Sequence, residues 1–244
     1  MNSARVEAGG EVQATAVVQD SDTPNDQLLY DWSVTPAGGT FSGGGRQTRW
    51  KAPLQQAPGV YALTLKVTER YVQSGTAKEN TASSSVQVHY NDSLLDIRAI
   101  SVRFIEQLFS DSSVTPPQAV QDFSDSCRGK SDELSDISYN RQNFQILSGI
   151  FTNISIDLDE ARTFADVFGT CVFEDIPTSP SNPNFNKRER VTGICHLTSI
   201  YESWRWWLCD SHFAPLGPAV PESLRYRVPG RILDLSDLMP RRRR

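Results

Sequence analysis

The spacing of apolar residues changes once along this chain, near residue 90, and no other feature constrains the fold as strongly. Before it, Val12, Ala14, Ala16 and Val18 alternate with other residues. Residues 29–34 form a second short run, Tyr61, Leu63, Leu65 and Val67 a third, and Val86, Val88 and Tyr90 a fourth. A period of two in short segments broken by Gly, Pro, Asn and Asp predicts a β-sandwich. Gly38-Gly39, Gly43-Gly44-Gly45 and Pro58-Gly59 supply the breaks. After residue 90, Leu94, Leu95, Ile97, Ile100, Val102, Phe104, Ile105, Leu108 and Phe109 recur at helical spacing. Two periods in separate blocks call for two cores, and 244 residues allow two domains.

The second block predicts a helix over 94–109, stopped before Pro116-Pro117. A second helix runs from Pro117 to about Cys127. A third starts at Ser131-Asp132-Glu133-Leu134, with acids in its first turn. Strands follow over 145–157, 161–175, 188–201 and 204–210, with a turn at 158–160 and a Pro- and Asn-rich loop at 177–186. Helices first and antiparallel strands afterwards is the α+β pattern. The expected division is 1–90, 91–213 and a Pro-rich extended tail over 214–244, with a short helix near 232–238 and a basic end at Arg241–Arg244.

The first block resembles the PKD and related Ig-like modules. The residues that carry this are Ala8-Gly9-Gly10, Asp20-Ser21-Asp22, Leu29-Tyr30-Asp31-Trp32, Trp50-Lys51-Ala52-Pro53 and the run from Gly59 to Val67. The resemblance implies an all-β Ig-like sandwich over residues 5–90, with a missing or short first strand. It also implies that Trp32 packs between the sheets and that Tyr61 bonds back to its turn. The second block resembles the NTF2-like (SnoaL-like) domains through residues 102–109, Ala119–Phe123, Val191–Leu197 and Trp204-Arg205-Trp206. That resemblance implies an α+β cone over 94–213, with helices packed on a curved antiparallel sheet around a pocket. Its members include isomerases, cyclases and many binding or assembly domains.

The charge balance is 24 basic against 29 acidic side chains, and four of the basic ones are Arg241–Arg244. A body this acidic argues against nucleic-acid binding, which needs positive charge spread over a face. No apolar run approaches a transmembrane helix, and Met1–Gly10 is too polar for a signal peptide. The cysteines, Cys127, Cys171, Cys195 and Cys209, lack C-x-x-C spacing, which speaks against zinc. An even count beside an extracellular-type module suggests disulfides, and four cysteines allow three pairings. A hairpin centred near Pro183 sets Cys171 opposite Cys195, and strand parity then puts Cys209 on the other sheet face, within reach of a helix-borne Cys127. Four buried thiols in a reducing compartment are the alternative.

No catalytic motif stands out. Tyr139, Asp166, His196 and Trp207 are the candidate lining of a pocket, where an isomerase would need a carboxylate base and a donor for an enolate. Trp204 and Trp206 share a strand face and are candidate interface residues, with core packing as the simpler reading. Asp20, Asp22, Asp26 and Asp31 can offer Ca²⁺ an oxygen-rich edge, although solvated turns are commoner and no EF-hand pattern is present. No other cofactor and no other metal is expected. Asn91-Asp92-Ser93 and Asn153-Ile154-Ser155 match the glycosylation sequon. The expectation is a non-enzymatic protein exported to the periplasm, cell surface or medium. Its sandwich acts as spacer or adhesion module, and its second domain binds a protein, another copy or a small apolar ligand. A pocket isomerase or cyclase, or a subunit of a surface assembly, is the alternative.

Overall fold

The computed structural model describes residues 4–19, 28–54, 56–57 and 59–216. Asp20, Asp22, Asp26, the expected helix at 232–238 and Arg241–Arg244 lie outside that set. The chain divides into two compact units, Met1–Ser93 and Leu94–Arg244, and most of its described residues are in strands.

The first unit has two facing sheets. Strands β1 (Ala4–Glu7), β7 (Thr76–Asn91), β6 (Gly59–Gln73) and β3 (Leu29–Thr35) form one, in that order. Strands β2 (Glu11–Thr15), β5 (Gln47–Lys51) and β4 (Thr40–Gly44) form the other. The first strand is short, four residues, and pairs parallel with β7. Between the sheets lie Val6, Trp50, Ala52, Tyr61, Leu63, Val88 and Tyr90. The alternation of residues 61–65 and 86–90 places one side of each strand there, as a period of two requires.

The tryptophan at the centre is Trp50, not Trp32. Trp50 is fully buried, 5.1 Å from the Tyr61 ring, and its indole N–H donates to the Gly38 carbonyl at 3.1 Å. Trp32 sits half-buried on β3, an edge strand, and donates to the Gly45 carbonyl at 3.0 Å. Gly39 has φ +69°, and a Cβ there would strike the Lys51 carbonyl and the Trp50 indole. The Gly38-Gly39 turn therefore belongs to the Trp50 site. Tyr61 donates to the Gln56 side chain, while Tyr90 accepts the Gln56 backbone N–H at 3.2 Å. Two tyrosines from neighbouring strands thus hold one stretch of loop.

The second unit begins with one long helical segment. α1 (Ser93–Arg103) continues into a π-helical stretch, Phe104–Phe109, whose Phe104, Ile105, Leu108 and Phe109 are buried. The expected second helix shrinks to a single turn, α2 (Pro116–Ala119), capped by Thr115 and Gln118. Leu208 takes over the chain beyond it. The Leu208 N–H donates to the Asp122 carbonyl at 2.9 Å, and the Ser124 N–H donates to the Leu208 carbonyl at 2.8 Å. Backbone groups satisfied by a strand do not continue a helix. α3 runs from Gly129 to Asn143.

A four-stranded antiparallel meander follows in the order β11-β10-β9-β8: β8 (Phe144–Leu158), β9 (Phe164–Pro177), β10 (Glu189–Glu202) and β11 (Arg205–Pro215). One face of this sheet carries Ala165, Val167, Cys171, Phe173, Cys195, Leu197, Trp206 and Leu208. It buries them against Ile97, Phe104, Phe123 and Ile137 of the helical part. β11 extends through Pro215 and Leu216 donates to Thr192 at 2.8 Å, so sheet structure reaches into the stretch expected to be tail.

Candidate functional site

The alternation of β9 and β10 decides which face each candidate occupies. Val167 and Leu197 are buried toward the helices, so Asp166 and His196 project from the opposite, outer face. Trp207 shares that outer face, because Trp206 and Leu208 on either side of it are buried. Tyr139 is on α3, over the other face. The four residues expected to line one pocket are therefore divided by the sheet.

Asp166 and His196 do meet. His196 Nε2 lies 2.7 Å from Asp166 Oδ1, and the Phe168 ring stacks flat on the imidazole, 4.3 Å between centroids. Two residues that the sequence did not single out complete the cluster. His212 pairs with His196 across β10 and β11, with ring centroids 6.1 Å apart. Its Nε2 lies 3.0 Å from Asp210 Oδ2. Burial alone would raise the Asp210 carboxyl, but the hydrogen bond and charge of His212, the Ser211 N–H and the charge of His196 hold it below the usual range. A register shift between Thr198 and Ser199 makes this possible. Leu208 faces Ser199 and Asp210 faces Thr198, so Cys209 is an extra residue and alternation restarts beyond it. No periodicity argument predicts that step.

An Asp–His dyad is the base half of a nucleophilic relay, and such a relay also needs a hydroxyl or thiol on the histidine. Ser211 projects to the other face, where its hydroxyl donates to Glu133 of α3. The outer cluster sets two histidine–carboxylate contacts side by side, His196 with Asp166 and His212 with Asp210, under the stacked Phe168 ring.

The helix-facing side holds acids that the sequence pattern did not reveal. Glu133 is buried on α3, and burial, opposed by the Ser211 hydrogen bond, raises its carboxyl to about 8. Asp175 on β9 is 1% exposed, and burial together with the Glu189 charge raises it to about 7. Its two oxygens have no hydrogen-bond partner among the described residues. Glu189 faces it directly across the strand pair. Asp122, also buried, is paired with Arg103 and lies 3.9 Å from Arg205.

Around the β10–β11 turn the tryptophans part company. Ser203 and Trp204 have φ of 51° and 66°, so they form the turn itself and strict alternation stops there. Trp204 is 45% exposed, whereas Trp206 is 3% exposed and packs on Tyr201 in the core. Trp206 is thus not an interface residue. The Arg205 guanidinium lies 3.4 Å above the Trp207 ring, and the Trp207 indole N–H donates to the Glu202 carbonyl at 3.2 Å. A left-handed backbone on a bulky, exposed tryptophan costs energy that neither Gly nor Asn would cost.

Both cysteine pairs are bridged, Cys127–Cys209 and Cys171–Cys195, and no cysteine is free. Cys171 faces Gly193, so the second bridge is diagonal, two residues off the direct opposition that a centre at Pro183 gives. Cys127 lies in the turn before α3, not on a helix, and meets the bulged Cys209. Two disulfides fit an oxidising compartment. Among the described residues no helix is long and apolar enough to cross a membrane, and no cluster of three or more ligating side chains could hold a metal ion. Asn91 is buried, while Asn153 is exposed at an irregularity in β8 with φ 52°.

No protein-family model matches the chain, and no curated protein matches it. Among solved structures, it is similar to Rv3472(D26N), a protein of unknown function from Mycobacterium tuberculosis, at 10% identity and a TM-score of 0.40, over 54% of this chain and 81% of that one. It is also similar to the intermembrane space region of the chloroplast protein ARC6, at 12% identity and a TM-score of 0.39, over 52% of this chain and 98% of that one. Neither similarity assigns the chain to a family.

Proposed function

We propose that this is an exported, non-enzymatic binding or assembly protein. In this reading a PKD/Ig-like module acts as spacer or adhesion unit, and an NTF2-like domain engages a protein partner. The observation that carries it is the turn between β10 and β11. Trp204 is exposed on a left-handed backbone, with Arg205 stacked on Trp207 beside it. Trp and Arg dominate binding hot spots, and strain held at an exposed position supports a role in contact. On the same outer face Phe164, opposite Ile200 near the turn, adds an exposed apolar side chain.

A photo-reactive amino acid at position 204 in the producing cells tests this. Discrete cross-linked species are expected from position 204 and not from the exposed Glu160 on the same unit. Equal, diffuse labelling from both positions would overturn the reading. Export is tested separately by thiol titration of unreduced protein taken from its source. No free thiol is expected after denaturation, and four would refute export.

One observation favours the pocket enzyme as a second reading. Asp175 is a carboxyl held near neutrality on the helix-facing side, where an NTF2-like pocket would lie. Proton exchange at the α-carbon of a panel of apolar ketones, followed by NMR with Asp175→Asn as control, addresses it. Identical exchange with both proteins would remove it.

A further inference from the structure

The two disulfides of the second unit are not equally placed. Cys171 and Cys195 are 0% and 3% exposed, inside the core beneath the helical part. Cys127 and Cys209 are half-buried, one in the turn before α3 and the other on β11, an edge strand of the sheet. Thiol–disulfide exchange needs a thiolate to reach a bridge sulfur, so access decides which bridge reacts first. In the folded protein access favours Cys127–Cys209.

The chain is also arranged around this bridge. Cys209 is the extra residue of the β11 bulge, and bulges re-aim the side chains beside them. Gly129, where α3 starts, lies so close to Cys209 that a Cβ would strike the Cys209 carbonyl. Between the buried Phe123 and the bridge runs a short strap, residues 124–127. Its Ser124 N–H donates to the Leu208 carbonyl at 2.8 Å. The Ser124 and Ser126 hydroxyls donate to the Glu202 carboxylate. Glu202 faces Arg205 across the strand pair, with the Trp204 turn between them. The strap thus holds the base of that turn, and the bridge ties down the end of the strap.

We propose that Cys127–Cys209 is a redox latch on the Trp204 turn, opened by a dithiol reductant while Cys171–Cys195 keeps the unit folded. A thiolate of the dithiol attacks one bridge sulfur, the S–S bond breaks and a mixed disulfide forms. The second thiol of the reductant then displaces the protein sulfur. Two electrons and two protons pass to Cys127 and Cys209, which end as thiols, and the reductant ends as a disulfide. Beyond the Phe123 anchor the freed strap keeps only hydrogen bonds to the hairpin, and contacts of that kind open locally. The effect on a partner rests on the binding role proposed for Trp204, whereas the opening of the bridge does not.

Dithiothreitol titrated into the native full chain, followed by alkylation and peptide mass mapping, is the first test. Cys127 and Cys209 should be labelled at a dithiol concentration about tenfold or more below that which labels Cys171 and Cys195. Labelling of all four together, or of Cys171 and Cys195 first, would overturn the proposal. Hydrogen exchange on the selectively reduced protein is the second. The Ser124 and Ser126 amides should exchange about tenfold faster or more, with the β9 amides unchanged. Equal exchange in both redox states would also overturn it. Cys127→Ser combined with Cys209→Ser should lower cross-linking from position 204 about fivefold in the producing cells. Undiminished cross-linking would show that the bridge does not act on the turn. The parent protein, cross-linked in cell extract with and without the selective dithiol concentration, covers a variant that does not fold. Absence of cross-linking from the oxidised parent sinks the partner reading instead, and the two amides then decide the latch.

Discussion

The two units of this chain solve the problem of a stable core in different ways. The first has no cysteine, and its core is an aromatic set in contact, Trp50, Tyr61 and Tyr90, between two sheets. The second holds both disulfides and also buries Glu133, Asp175 and Asp122. A sandwich closes its core with two layers of alternating side chains. A sheet covered on one face by short helices leaves polar groups inside, and covalent links offset that cost. The difference implies that the first unit responds to core truncation, and the second to reductant and pH.

Reduction is the largest test of that contrast. The bridges span sequence separations of 82 and 24 residues. Loop-closure entropy gives about 4.5 and about 3.5 kcal/mol for links of that span. Calorimetry with and without reductant should show the second unit losing most of its stability while the first keeps its transition. Next in size is Trp50→Ala, expected to cost the first unit about 3–5 kcal/mol and the second nothing, read from denaturant midpoints.

The pH response follows. Glu133 and Asp175 have folded values of about 8 and about 7, above their unfolded 4.5 and 3.8. The folded state therefore holds more protons, and the second unit should be most stable near pH 4. Its stability should fall as pH rises to about 8 and level off above that. Asp175→Asn removes part of the slope and should stabilise the second unit by about 1–3 kcal/mol at pH 8 relative to pH 5. Unchanged pH dependence of its melting temperature would show that Asp175 ionises without cost. The smallest expected effect is Arg70→Ala, which removes an exposed ion pair to Glu79 between β6 and β7. It should shift stability by about 0.5 kcal/mol or less, and less in high salt.

Period was the legible part of this sequence. Alternation at 61–65 and 86–90 and helical spacing at 94–109 set out both blocks, because one buried face imposes its spacing on residue choice. The polar stretch 76–85 left no such trace, since every residue in it is exposed. The resemblance to Ig-like modules favoured Trp32 as the central tryptophan, but strand order places β3 at an edge and Trp50 in the core. Pro117 marked a helix start correctly, yet Leu208, far along the chain, captured the backbone that follows.

The candidate site divides the same way. Sequence alone determined that Asp166 and His196 sit on alternating strands and that four cysteines can pair. Tertiary structure decided the rest. Register brought His212 to His196, and a single extra residue at Cys209 reversed the faces beyond it. Folding the helical part onto one side of the sheet set Tyr139 apart from Asp166 and buried Glu133 and Asp175. The physical reason is range. Side-chain period is a local consequence of backbone geometry and is written residue by residue. Strand order, bulges and the burial of a charge depend on partners many residues away, and no local pattern encodes them.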